Sequence, residues 1–564
     1  MTSSPDVGAT CHRRDAPPAR PWDGRFLIGV IVILLLLTSL PYLYGYLSAP
    51  PGKRFMGILL NVPDHAQYFS WMRELSQANL AANKLTPEPN DPAFFNLLWW
   101  PLGRLGRLLG TGYAVPFQIL RITAIPLFLF IAYWWCRSCY PDRLTARTCL
   151  LAIVFASGFG WVLVLLKYTL MEGTLPLPLD LYVAEANTFF CMMAYPHFTA
   201  AALYIAVFPL FLRTQATGEF RYAVAGGVLA LVLGWQHAYD LVLVYGILGA
   251  FVLALIARDR IVPWRAIKAL AIIGILSVWP AIYSVLLTSL DPIWKQVLAQ
   301  FSNAGVFTPP LYRLPILLGL AFLLALFGEL KDGLFRLDQL DDLALFVKAW
   351  FWANMLLIYI PADFQIHMLN GWQVPIVILA IGALLRHVMP LVHRVARQAG
   401  WQISRAGVTR LVCAAFLIAI VPTNLYLWAW RFVDLARGDY PYYLHEDELA
   451  AMAWLEAHAG PDDVVLSSEM IGQYVPMLTG KRAFLAHWAQ TVDYFDKRAR
   501  AARFFDGTSS DLERLETIEQ FGIDYVFYGP AEQDIGRYNP DSSTMFSSVF
   551  FSEQVTLFAV YASQ

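Results

Sequence analysis

The sequence predicts a polytopic α-helical membrane protein with about eleven transmembrane helices, N-terminus inside and C-terminus outside, ending in a small extracytoplasmic α/β domain. Three observations carry this. The 564 residues are 58% hydrophobic and only 15% charged, with a mean hydropathy of +0.50, whereas a soluble domain usually has about 25% charged residues. Eleven apolar runs of helix length fill the chain up to residue 430. Beyond about Asp439 the composition changes: residues 431–564 hold 21 Asp/Glu and ten Lys/Arg, and the apolar runs shorten to strand length. The net charge of −1 gives no reason to expect a nucleic-acid partner. The six cysteines form no framework, and Cys136-Arg-Ser-Cys139 lacks the second pair or nearby histidine that zinc requires.

A polar tail, residues 1–25, with Arg13, Arg14, Arg20 and Arg25, precedes the first apolar run, Phe26 to Leu47. That run is too long for a signal-peptide core and lacks a small-residue cleavage site, so it reads as a retained helix. Further spans are expected at 114–135, 148–168, 196–213, 222–237, 239–257, 266–288, 313–329, 343–360, 372–390 and 407–430, making 26–430 one membrane domain with a long first outer loop, 49–113. With the N-terminus inside, the cytoplasmic segments hold 21 Lys and Arg and the outer ones hold 8, as the positive-inside rule requires. The protein is expected in a plasma or inner membrane, with its active face extracytoplasmic. In the outer domain, 440–564, the pattern gives a helix at 447–458 and strands at 464–466 and 483–485. Helices at 492–504 and 510–520, a strand at 525–528 and a hairpin at 546–551 and 555–561 follow.

A charge deep in hydrocarbon is costly and usually marks an ion path. These spans carry almost none at mid-depth; Arg121 and Lys167 lie near helix ends. Ionisable and amide groups collect instead in the outer loops: Asp64, His65, Tyr68 and Arg73 in the first, and Asp180, Glu185, Asn187 and His197 in the second. His237 and Asp240 form the tight third turn, Asp291 and Lys295 lie in the fourth, and Asp363, Gln365, His367 and Asn370 in the fifth. Acids and imidazoles converging on one membrane face suit a substrate with a polar head and a lipid tail.

Local readings compete with this. Pro63-Asp64-His65-Ala66-Gln67 has the form of a capping box, with Asp64 as N-cap and Gln67 at N3. The helix after it repeats Tyr68, Trp71, Met72 and Leu75 and is expected along the membrane interface. Phe94, Phe95, Trp99 and Trp100 read as a headgroup belt. Asp180 and Glu185 read either as solvated charge on a short amphipathic helix or as site acids. His197, His237 and Asp240 read as helix-end residues or as part of a site. Asp291-Pro292 is an N-cap followed by Pro at N1. No GxGxxG, P-loop, HExxH or nucleophile-elbow pattern occurs.

One further pattern is sharper. A first helix leads into a long outer loop with Asp64, Tyr68 and Arg73. The stretch Pro92-Ala93-Phe94-Phe95 and then Trp99-Trp100-Pro101-Leu102 comes before the second helix. This resembles the GT-C superfamily of integral membrane glycosyltransferases, which includes protein mannosyltransferases and oligosaccharyltransferases. The resemblance implies inverting transfer of a sugar from a polyprenyl-phosphate donor to a lipid, glycan or protein acceptor. It implies Asp64 as general base or metal ligand, with Glu185 as a second ligand to a divalent metal (Mg or Mn). Tyr68, Arg73, Glu185, His197, His237, Asp240, Gln365 and His367 form the expected substrate-binding set. Gln365-Ile366-His367 departs from an Arg-rich phosphate-binding stretch expected in the fifth loop. For the leaving phosphate the outer loops offer Lys53, Arg54, Arg73, Lys295, Arg313 and three histidines. Two other classes remain open. One is a transporter or flippase, opposed by the near absence of mid-span charges and of Gly/Pro-interrupted paired helices in two similar halves. The other is a non-catalytic scaffold whose outer domain binds a partner.

Overall fold

A computed structural model describes residues 23–171, 173, 179–304, 307–400 and 404–561; most of the expected N-terminal tail, with Cys11, lies outside them. All eleven apolar runs are helical, but not all are long enough to span. Six helices pass by length and composition, from Gly24–Leu47 to Gln365–Gln398, and three bent pairs raise the number to nine. The two that fall short of the expected eleven, Arg221–Gln236 and Asp342–Leu357, have 16 residues each. At 1.5 Å per residue each reaches about 24 Å, less than a hydrocarbon core of about 30 Å.

The bent pairs correct the expectation of uninterrupted helices. Arg143–Phe155 and Gly160–Thr169 meet at 46°, Trp264–Ser277 and Trp279–Leu290 at 49°, and Arg405–Ile420 and Pro422–Ala436 at 45°. Pro280 and Pro422 stand at the first turn of the second helix in two pairs, where a missing N–H costs nothing. Two breaks close on each other. Ser157 N donates to Ile420 O (3.0 Å), Phe159 N to Ile316 O (2.8 Å) and Thr423 Oγ1 to Gly158 O (2.8 Å). Gly319 breaks a third helix there at φ 69°, and a Cβ on it would lie 2.1 Å from Ser157 O. Backbone groups freed at a helix break need partners, and here the broken helices satisfy one another.

The C-terminal region is an α/β unit. Its sheet contains β3 (Val464–Leu466), β4 (Arg482–Ala483), β5 (Ile523–Tyr528), β6 (Phe546–Phe551) and β7 (Thr556–Val560), in the order β4-β3-β5-β7-β6. β3 is parallel to β4 and β5, while β7 is antiparallel to β5 and β6. Val464, Leu466, Phe484, Phe504, Phe505, Val526 and Phe558 form its separate core. Helices Tyr494–Phe505 and Asp511–Phe521 cover it, the second opened by a Ser510/Glu513 capping box.

The first outer loop joins this unit to the membrane helices. β1 (Lys53–Phe55) pairs antiparallel with β2 (Tyr443–His445). The helix Val62–Gln77 packs between Trp99–Leu109 and Tyr474–Thr479, so it is sandwiched between a membrane-domain helix and the C-terminal unit. Gly103 permits the close approach: a Cβ there would lie 2.1 Å from Met72 O. Met72, Leu75, Tyr474, Val475 and Met477 are buried at this seam, each contributing roughly 1.5–3 kcal/mol. Ion pairs across it, Arg73–Glu456 and Lys84–Asp462, each have a partner more than half exposed. Exposed pairs contribute about 0–1 kcal/mol, so apolar burial holds the seam.

Candidate active site

Asp64 is not the N-cap that its local pattern suggests. The helix begins one turn earlier, with Asn61 as N-cap in the left-handed region at φ 46°, a conformation that Asn tolerates better than most residues. Asp64 therefore sits at the third helical position, where the N-terminal dipole favours a carboxylate. Asn61 Nδ2 donates to its Oδ2 at 2.5 Å. His487 Nε2, from the C-terminal unit, lies 2.9 Å from its Oδ1. The Asp64 side chain keeps 22% of its surface open. Next to it, His65 faces Asn61 O at 3.0 Å and Ala194 O at 2.9 Å, tying the helix start to the end of helix Thr188–Ala194.

One turn on, Tyr68 enters a cavity of about 370 Å³. Its ring stacks on Trp99 at 5.0 Å and lies 4.6 Å from His197. Phe94 packs on Trp71 at 4.2 Å and on Trp294 at 5.1 Å, and Phe95 meets Trp235 at 5.5 Å. These aromatics, with Trp99, wall the cavity, whereas Trp100 does not line it. The opposite wall is the 279–290 helix, and the lining reaches the outer surface at Val285, which is 61% exposed.

The polar side of the cavity is built from imidazoles. His197, His237 and His367 line it, and among the described residues no Lys, Arg, Asp or Glu does. Glu185 accepts from His367 Nδ1 at 2.5 Å, and Asp240 lies 3.2 Å from His237 Nδ1. The rings of His237 and His367 are 6.0 Å apart, and His367 stacks on Tyr239 at 5.4 Å. His197 is 5% exposed, and neither of its ring nitrogens has a partner. The amide oxygens of Gln236 and Gln490 on the same lining are also unpartnered. Buried polar atoms are normally satisfied, and these stand out as exceptions gathered on one lining. Burial, and then the charges of Asp64 and Glu185, hold the Tyr68 hydroxyl well above its usual range.

Most of the expected residues gather here: Tyr68, His197, His237 and His367 on the wall, Glu185 and Asp240 behind two of the rings, and Asp64 outside the lining, one helical turn before Tyr68. Two do not. Arg73 bonds to Leu478 O and Glu456 on the C-terminal unit, and Gln365 is half-buried and absent from the lining. The second-loop acids are not solvated charges on an amphipathic helix. They lie in two 3₁₀ turns, Leu179–Leu181 and Ala184–Ala186, with Asp180 and Glu185 buried. Asp291 caps its helix as its sequence suggests, accepting from Ile293 N and Trp294 N.

The residues do not fit the expected divalent metal. Both oxygens of Asp64 are engaged by Asn61 and His487, and Glu185 is engaged by His367. Among the described residues no group of three or more His, Cys, Asp and Glu could hold a metal ion.

No family model matches this sequence. No curated protein matches it either. Solved structures do. An oligosaccharyltransferase from Archaeoglobus fulgidus, tethered to an acceptor peptide, superposes with a TM-score of 0.55 at 12% identity, over 90% of this chain and 69% of that one. An archaeal oligosaccharyltransferase from the same organism, complexed with an inhibitory peptide and a dolichol-phosphate, gives 0.51 at 11% identity, over 90% and 70%. The mycobacterial arabinofuranosyltransferase AftD gives 0.53 at 15% identity, with 96% of this chain matched to 40% of that one. The chain has the fold of the GT-C glycosyltransferases.

Proposed function

We propose that this protein is a membrane glycosyltransferase that moves a sugar, with inversion, from a polyprenyl-phosphate donor to an acceptor at the extracytoplasmic face. The supporting observation is a carboxylate held by two donors, one helical turn before Tyr68 on the wall of an aromatic cavity whose only basic side chains, among the described residues, are imidazoles. The fold neighbours are glycosyltransferases, and one was solved with a dolichol-phosphate.

Asp64 receives the proton of the acceptor hydroxyl as its oxygen attacks the anomeric carbon. The bond from that carbon to the phosphate oxygen breaks, and its electron pair leaves with the lipid phosphate. His197, His237 and His367 surround that phosphate. The Glu185 carboxylate behind the His367 ring favours positive charge on that imidazole against the phosphate, in place of an Arg-rich stretch. Tyr68 and Trp99 offer a stacked aromatic face to the sugar, and the apolar wall toward Val285 offers a path for the polyprenyl chain. No step is routed through a metal ion.

The test is to reconstitute purified protein with a panel of radiolabelled polyprenyl-phosphate sugars and follow the label into lipid, glycan and peptide fractions. Label transferred from one donor, with release of the polyprenyl phosphate, is the expected result. Label crossing the vesicle membrane while still on its lipid, with no transfer, would establish the transporter reading instead.

A further inference from the structure

The C-terminal unit places one side chain on Asp64. His487 follows β4 on a short strap, residues 486–491, and its ring is 2% exposed. The His487 Nδ1 accepts from the backbone N–H groups of Ala489 at 3.0 Å and Gln490 at 3.3 Å. An imidazole nitrogen that accepts carries no proton, so the ring proton is on Nε2, which points at Asp64 Oδ1 from 2.9 Å. The backbone of the strap thus fixes the tautomer that donates to the carboxylate, and a nitrogen committed as a donor is not a metal ligand.

The strap is held from three directions. Within it, Thr491 Oγ1 accepts from Ala486 N and Thr491 N donates to His487 O. From the first outer loop, Asn83 Nδ2 donates to Gln490 O and Leu85 O accepts from Thr491 Oγ1. From the fourth loop, Gln300 Nε2 donates to Ala489 O and Thr491 O, and Asn303 Nδ2 donates to Trp488 O. The His487 ring lies 4.6 Å from that of Trp488. These bonds seat the strap, and with it the buried imidazole, against both loops.

We infer that His487 is a positioning residue for the transfer. It holds the Asp64 carboxylate, together with Asn61, in the orientation that receives the acceptor proton, so the base is complete only when the C-terminal unit is docked. This inference rests on the assignment of Asp64 as base.

The test compares His487→Ala, His487→Phe and His487→Gln with wild type and Asp64→Asn in the full chain. The substrate is the radiolabelled polyprenyl-phosphate sugar that wild type turns over. Losing a hydrogen bond to a charged group should lower kcat in the Ala and Phe variants by roughly 10–100-fold. The donor KM should stay near the wild-type value, because His487 lines no part of the cavity. His487→Gln, whose amide N–H can reach where Nε2–H reached, should recover most of kcat. His487→Phe preserves ring volume, so it reports even if the Ala variant fails to fold. Wild-type kcat in the Phe variant, beside an inactive Asp64→Asn, would overturn the positioning role alone. A raised KM with kcat intact would do the same. Turnover persisting in Asp64→Asn would overturn the base assignment and this inference with it.

Discussion

Glu185 and His367 are 182 positions apart in sequence, yet the Glu185 carboxylate lies 2.5 Å from the His367 Nδ1. The contact joins the second outer loop to the fifth and leaves Nε2 as the His367 edge free to meet a ligand in the cavity. Glu185→Gln keeps the shape and removes the charge. Donor KM should rise by about tenfold, the cost of weakening one charge-assisted hydrogen bond to phosphate, while kcat changes little. Initial rates against donor concentration check this; an unchanged KM would remove the pair from phosphate recognition.

Arg73 should behave as a docking residue. Its guanidinium bonds to Leu478 O at 2.9 Å and to Glu456, which is about half exposed. Arg73→Ala should destabilise the C-terminal unit by about 1 kcal/mol, read by thermal unfolding in detergent, and leave the donor KM unchanged.

Asp180 makes stability depend on pH. Burial raises its carboxyl to about 7, although Gly160 N donates to Oδ2, and its Oδ1 has no partner. At low pH the folded and unfolded states both hold the proton. Between about 4 and 7 only the folded state does, so stability falls as pH rises through that window and levels off above it. The full span is on the order of 4 kcal/mol as an upper bound, at 1.36 kcal/mol per unit. Asp180→Asn should flatten this dependence in melting curves taken from pH 4 to 8; an unchanged slope would refute it.

Chelation should not stop the reaction. With the oxygens of Asp64 held by Asn61 and His487, the assay run after exhaustive EDTA treatment should give the untreated rate. Loss of transfer that manganese or magnesium restores would show that the carboxylate exchanges its donors for a metal.

The large pattern was legible because it depends on composition and spacing. The apolar runs, the acidic C-terminal unit, the hairpin at its end and the gathering of polar groups in the outer loops all follow from period and charge. The helix breaks were less legible: Gly158, Gly160 and Pro422 are visible in the sequence, but their mutual closure is a tertiary fact. Asp64 stood out through its loop, yet its capping role was misassigned because Asn61 starts the helix earlier. Arg73 has the spacing of a site residue, and only the docked C-terminal unit shows where it points. His487 was missed altogether, as its partner lies 423 residues away. The available signal was a His-Trp pair just past a strand, since the carboxyl ends of parallel strands commonly carry site residues.

The central claim is that Asp64 receives the acceptor proton. Its most direct test is single-turnover transfer by Asp64→Asn, in which the amide keeps the side chain's size but cannot act as the base. Removing a general base should slow the transfer by roughly 10²–10⁴-fold, with the melting temperature and donor binding preserved. An Asp64→Asn protein that transfers sugar at the wild-type rate would contradict the account.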